Sequence, residues 1–329
     1  MTQKIMNGIK RWLVVILATG LVLTIVVIVM IPRNISKVAS HSHPVKSYSE
    51  ALQRVAILRK RDIQQLNPLG RLELMSYGKK VDRALILVHG YTSCPQQFHE
   101  LGKRFYDLGY NILIAPLPHH GFLDRMTESH GQLTAEELAA YADETVDIAQ
   151  GLGEQVTMMG ISAGGTTTAW AAQNRRDLDM ALIISPFFGF RKIPTLFTGA
   201  LMNVYGFLPD KFIWWNPVLK DKEPPDYAYP QYSQHALVQI LRLGFSVQAQ
   251  ARRSKPAAGK IAVVFNANDS MINKDLATGV VKSWWSHNTN LTTYEFKREL
   301  SLHHDIIDSS QSAAKVDIVY TRLLKLANR

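Results

Sequence analysis

Cysteine is nearly absent: the 329-residue chain has one, Cys94. An intrachain disulfide and a cysteine-built metal cluster are therefore excluded. The sequence also lacks a P-loop, a dinucleotide fingerprint and any metal-ligand spacing, so no cofactor and no metal are expected. No internal repeat or low-complexity tract appears, which argues against a solenoid. The net charge is +10, yet Lys10, Arg11, Arg59, Arg61, Arg252, Arg253 and Lys255 are scattered rather than interleaved with aromatics in one motif. That distribution suits a basic surface facing anionic lipid and argues against nucleic-acid binding.

Charge and proline are both missing from residues 12–31, "WLVVILATGLVLTIVVIVMI". As a helix this segment reaches ~30 Å, the thickness of a bilayer's hydrocarbon core. It is apolar all round, unlike a helix buried on one face, and is longer than the ~7–15-residue core of a cleaved signal peptide. The reading is a basic cytoplasmic tail (1–11), a transmembrane anchor (12–31) and a polar tether (32–46) with solvated His41 and His43. Lys4, Lys10 and Arg11 precede the span, while Arg33, Lys37 and Lys46 follow it. The charge bias is nearly tied, and a single anchor after a basic tail places the large domain on the extracytoplasmic side.

What the sequence does have is 47% apolar residues, enough for one large core and a modest insertion. Ser47 and Glu50 stand at capping-box spacing ahead of Ala51, Leu52, Val55 and Leu58, which predicts an amphipathic helix. Short apolar runs follow at 84–90, 111–117, 155–160, 180–186, 260–267 and 291–297, separated by helical patterns. Such runs suit strands covered on both faces, and their alternation with helices predicts an α/β fold with a mostly parallel sheet. The alternation breaks between Pro186 and Lys260. Residues 187–259 are therefore expected to form a cap inserted into a domain spanning 47–329.

The third run ends in "MGISAGG", residues 159–165, before a helical pattern. Gly160-Ile161-Ser162-Ala163-Gly164 fits a nucleophile elbow, in which a strained turn lifts a serine clear of the sheet and glycines permit close backbone approach. The helix N-terminus behind Ser162 favours developing negative charge. A serine hydroxyl needs a base, and the base an orienting acid. Asp269 follows the run at 260–267 and takes the acid's place. One of His303 and His304, in "ELSLHHDIIDSS", is the base, whereas His119 and His120 come too early in chain order. The amides of Ala163 and of Tyr91, in "VHGYTS", are the expected oxyanion donors. His89 is read as fixing that loop and Cys94 as a bystander.

The stretch "LILVHGYTSCPQQFHELGKRFYDLGYNILIAPLPHHG" resembles the N-terminal half of the α/β-hydrolase core of bacterial carboxylesterases and monoacylglycerol-lipase-like or lysophospholipase-like enzymes. That group carries an HG-aromatic-T loop and a P-x-x-GHG turn, and His119 stands here where the group often has glycine. "MGISAGG" matches its elbow, and "HDIID" resembles its C-terminal segment, in which the histidine directly precedes the aspartate. The resemblance covers roughly residues 80–325 and implies an α/β-hydrolase fold with His304 as base. Some relatives align a histidine one position earlier, which keeps His303 as the alternative.

Together these readings describe a membrane-anchored serine hydrolase that cleaves carboxylic esters through Ser162, His304 and Asp269. The apolar and aromatic cap sequence, beside lipid, points to an acyl glycerol, a lysophospholipid or a similar lipid-like ester. The fold hosts many chemistries, so a peptidase, thioesterase or acyltransferase on the same residues is the alternative, as is a non-catalytic membrane-tethered binding protein.

Overall fold

Each apolar run becomes a strand of one sheet. The computed structural model describes residues 12, 14–21, 24, 30–31, 38–61, 64–311 and 314–328. Its strands are β1 (Glu73–Met75), β2 (Val81–Val88), β3 (Tyr110–Ile114), β4 (Gly153–Ile161), β5 (Met180–Ile184), β6 (Phe212–Trp214), β7 (Gln231–Ser233), β8 (Lys260–Asn266) and β9 (Leu291–Phe296). The helices are α1 (Tyr48–Lys60), α2 (His99–Tyr106), α3 (Ala135–Leu152), α4 (Ala163–Asn174), α5 (Thr198–Phe207), α6 (Gln234–Ala251), α7 (Lys274–Ser286) and α8 (Val316–Ala327). Seven strands form the central sheet in the order β1-β3-β2-β4-β5-β8-β9. All its pairings are parallel except the edge pair β1–β3.

Side chains alternate between two buried cores although the strand sequences do not alternate in polarity. Ala84, Ile86 and Val88 of β2 join the core under α1, α3, α4, α6 and α7. Leu85 and Leu87 join the one under α2 and α8. Covering both faces is why these runs are continuously apolar. The expected N-cap forms on α1, with Ser47 Oγ accepting from the Glu50 amide at 3.2 Å, while Glu50 Oε2 accepts from the Lys46 amide at 3.0 Å rather than from Ser47, so the capping box is only half made. Ala51 and Val55 then pack the helix onto the domain.

Three expectations look different in three dimensions. Residues 38–46 do not hang free as a tether. Val38 and Val45 are buried, the His41 amide donates to Asp143 Oδ2 at 2.6 Å, and the His43 amide donates to Asp147 Oδ2 at 2.7 Å. Residues 187–259 divide in two: α5 and the antiparallel β6–β7 hairpin stand apart from the sheet, while Ile240, Leu241, Leu243 and Val247 of α6 join the main core beside α3 and α4. Finally, the proposed anchor at 12–31 lies partly outside the described residues. Among the described residues no helix is long and apolar enough to cross a membrane.

Candidate active site

Ser162 occupies the sharp joint between β4 and α4 at φ 56°, ψ −115°. A non-glycine residue holds that left-handed backbone only where its surroundings enforce it. Here the Ser162 amide donates to Ile184 O at 3.0 Å, and Ser162 O accepts from the Phe187 amide at 3.1 Å and the Thr166 amide at 2.9 Å. The flanking glycines serve close approach: a Cβ on Gly160 would lie 2.3 Å from Gly164 O, and one on Gly164 would lie 2.1 Å from Val88 O. The Ala163 amide belongs to the first turn of α4, where helical bonding leaves N–H groups free.

Across from the elbow, the loop after β2 turns the Tyr91 amide in a fixed direction. Gly90 O accepts from His89 Nδ1–H at 2.8 Å and from the Ser93 amide at 3.2 Å. In a trans peptide the C=O and N–H point opposite ways, so pinning Gly90 O also sets the Tyr91 N–H. That N–H has no acceptor among the described residues. A Cβ on Gly90 would approach Ser162 Cβ to 3.6 Å, which puts the loop beside the serine. His89 is fully buried and accepts the Leu117 amide at Nε2 (2.9 Å), which makes it a brace for this loop. Burial lowers its pKa to about 4, against a weaker upward pull from the Gly90 bond, so it stays neutral.

Asp269 and His304, the expected acid and base, meet at the ends of β8 and β9. His304 Nδ1 donates to Asp269 Oδ2 at 2.7 Å, while Asp269 Oδ1 accepts the Met271 and Ile272 amides at 2.9 and 3.2 Å. Burial alone would push the Asp269 carboxyl up, but the His304 charge and hydrogen bond together with the two amides hold it below the usual range. Burial likewise disfavours charged His304, and the Asp269 carboxylate, its hydrogen bond and the Asp305 charge outweigh that and raise it. His303 is exposed and offers its carbonyl to Asn266 Nδ2 at 2.7 Å.

Ser162, Ala163, Tyr91, His303 and His304 all line one cavity of about 500 Å³, with Asp269 behind His304. Two side chains not singled out in the sequence hold the parts together. Gln97 accepts the Gly90 amide at 2.8 Å and donates to Asp305 Oδ2 at 2.7 Å, joining the loop after β2 to the histidine segment. Asn266 donates to the carbonyls of Leu302 and His303. Neither residue type distinguishes itself from an ordinary polar loop residue in sequence. His119 stands at φ 63°, the region that glycine favours, which accounts for glycine at this turn in the resembling group. Cys94 is buried and its thiol is pushed up to about 12, mainly by desolvation, so it is an inert bystander. Among the described residues no group of three or more His, Cys, Asp or Glu side chains is placed to hold a metal.

The family model described as "Serine aminopeptidase, S33" matches residues 79–296. The chain belongs to this family. Within it, the chain is a serine hydrolase of the α/β-hydrolase fold. A thermostable monoacylglycerol lipase from Bacillus sp. (strain H-257) is 25% identical over 177 residues, covering 54% of this chain and 68% of that one. Among solved structures, a soluble variant of Saccharomyces cerevisiae monoglyceride lipase superposes with a TM-score of 0.59 at 14% identity, covering 78% of this chain and 90% of the other. The Paleococcus ferrophilus monoacylglycerol lipase gives 0.56 at 17% identity, covering 78% and 98%. At these identities the superpositions establish a shared fold.

Proposed function

We propose that the protein hydrolyses carboxylic esters of lipid-like acyl groups, monoacylglycerols or lysophospholipids among them, through a Ser162–His304–Asp269 triad. The observation that carries the proposal is the 2.7 Å His304–Asp269 bond beside a cavity shared by His304 and the strained Ser162. Asp269 holds the proton on Nδ1 and leaves Nε2 as the base. Ser162 Oγ attacks the ester carbonyl carbon while its proton passes to His304. The carbonyl electron pair moves onto oxygen, where the Tyr91 and Ala163 amides stabilise it. Collapse of the intermediate expels the alcohol, which takes the proton from His304 and leaves an acyl-serine. Water repeats the sequence and releases the carboxylic acid.

Two features support a lipid-like acyl group. The cavity is walled by apolar and aromatic side chains, Phe187, Trp215, Leu237 and Ile240 among them. The curated relative above is a monoacylglycerol lipase. In this reading residues 12–31 anchor the enzyme in a membrane, with the domain on the extracytoplasmic side. Asn203 Nδ2 of α5 donates to Ile31 O at 2.7 Å, which sets residue 31 against the cap. The family's description favours a second reading, cleavage of peptides.

A fluorophosphonate probe is expected to label the wild-type protein and not Ser162→Ala. A labelled Ser162→Ala protein removes Ser162 from its role. Turnover of p-nitrophenyl esters of increasing chain length, set against aminoacyl-nitroanilides, separates the two readings. Faster cleavage of the anilides would replace esterase with peptidase.

A further inference from the structure

The loop that carries the Tyr91 amide is tied to the cap at three points. The Trp215 indole N–H donates to Thr92 Oγ1 at 2.9 Å, the Tyr229 amide donates to Thr92 O at 2.8 Å, and the Ser233 amide donates to the Tyr91 hydroxyl at 3.1 Å. Thr92 sits at φ 65°, a conformation a β-branched residue keeps only when its contacts impose it. Its hydroxyl donates to Tyr91 O at 2.6 Å, which fixes Tyr91 from its C-terminal side, while Gly90 O fixes the peptide that carries the Tyr91 N–H.

Buried imidazoles back the same two residues. The Tyr91 hydroxyl donates to His130 Nδ1 at 2.7 Å, and the Thr92 amide donates to His120 Nε2 at 3.4 Å. Both rings must be neutral to accept, and desolvation lowers the pKa of each. The trunk side of the loop is thus rigid, and the cap supplies the remaining restraints.

Trp215 differs from the other cap ties in lining two cavities. It lines the cavity over Ser162 and also a second cavity of about 450 Å³ beneath α5. The two cavities share Leu237, Ser270 and Met271 as well, so Trp215 stands in the partition between them.

We propose that Trp215 is a positioning residue: its indole N–H, acting through Thr92, holds the Tyr91 amide where the oxyanion forms. The inference rests on the esterase reading above and assigns the cap a part in the chemical step. An acyl chain lying against the indole ring presses on the contact that shapes the oxyanion site. Esters long enough to reach the partition therefore gain in kcat and not in KM alone.

The test uses the full chain with p-nitrophenyl acetate, too short to reach the partition, and a longer-chain ester. Trp215→Phe keeps a ring in the wall and removes the donor. It is expected to lower kcat on the acetate roughly tenfold with little change in KM, short of the ~10²–10³ lost when an oxyanion donor itself is removed. Thr92→Val removes the acceptor without touching the cap and should give a similar loss. Thr92→Ser, which keeps the hydroxyl, should restore most of it. Combining Trp215→Phe with Thr92→Val should add no loss beyond that of Thr92→Val alone, because Thr92→Val already removes the contact that Trp215→Phe breaks.

Additive losses, or a change confined to KM on the longer ester, make Trp215 a pocket wall and overturn the inference. Fluorophosphonate labelling separates this failure from that of the esterase reading. An unlabelled wild-type protein fails the nucleophile itself. A labelled wild type with unimpaired Trp215→Phe turnover fails the positioning role alone.

Discussion

The His304 imidazole stands between two carboxylates with different duties. Asp269 bonds its Nδ1, whereas Asp305 turns away to accept Gln97 Nε2 and the amides of Ile307 and Asp308. Both charges raise the His304 pKa against its burial. A general base works only when neutral, so kcat/KM should fall as pH drops through a midpoint above the ordinary histidine value of ~6.5. Asp269→Asn removes the nearer charge. The midpoint should then move to lower pH and kcat should fall by ~10⁴, as read from pH–rate profiles on a soluble ester. An unmoved midpoint would deny the pairing. His304→Ala should cost on the order of 10³–10⁶ in kcat, while exposed His303→Ala should keep activity within about tenfold. Equal losses in both would overturn the choice. The sequence narrows the base to two adjacent residues and the resemblance favours one. What separates them in the structure is the His304 Nδ1–Asp269 Oδ2 bond.

Among the elements, the β4–α4 joint is the least tolerant of change. The added Cβ of Gly164→Ala would meet the backbone oxygens of Val88 and His89 at 2.1 and 2.6 Å, and backbone cannot swing aside as a side chain can. We expect destabilisation of about 1–3 kcal/mol by denaturant titration, with loss of fluorophosphonate labelling. Gly279 of α7 gives the contrast, since a Cβ there meets nothing within 4 Å. Gly279→Ala should stabilise by about 0.5–1 kcal/mol. A destabilised Gly279→Ala or an intact Gly164→Ala would contradict the packing described. The six long strands are legible in sequence because burial on both faces leaves continuous apolar runs. The three-residue β1, β6 and β7 are not, since so few positions carry no periodicity. Helix α6 shows the same limit. Its apolar stripe says that one side is covered, and only packing says that α3 and α4 cover it.

Across the whole molecule, Arg175 joins distant segments. Its guanidinium, almost fully buried, bonds Asp143 Oδ1 at 3.0 Å, Asp147 Oδ1 at 2.6 Å and Asp177 Oδ2 at 2.7 Å. The other oxygens of Asp143 and Asp147 accept the amides of His41 and His43, so one cation supports α3, α4 and the N-terminal strap together. Arg175→Met keeps most of the volume, strips buried Asp143 of its Arg175 partner and leaves buried Asp147 with only Arg54 at 3.6 Å. Breaking such a pair costs about 3–5 kcal/mol, which denaturant titration should register, and limited proteolysis should then cut within 38–46. A strap that stays protected would mean the amide bonds suffice. Nothing in "SHSHPVK" signals this docking, because its partners lie about a hundred residues away on α3.

Sequence alone determined which residues carry the chemistry's vocabulary: a serine between glycines after an apolar run, a late aspartate, a late pair of histidines and a mostly parallel α/β order. Those are local properties, set by backbone sterics at a tight turn and by burial along a strand. Tertiary structure alone decided which histidine faces Asp269, that Gln97 joins two loops, and that Trp215 reaches Thr92 from the cap. These are contacts between segments far apart in the chain, and they depend on where folding brings each side chain in space rather than on what surrounds it in sequence.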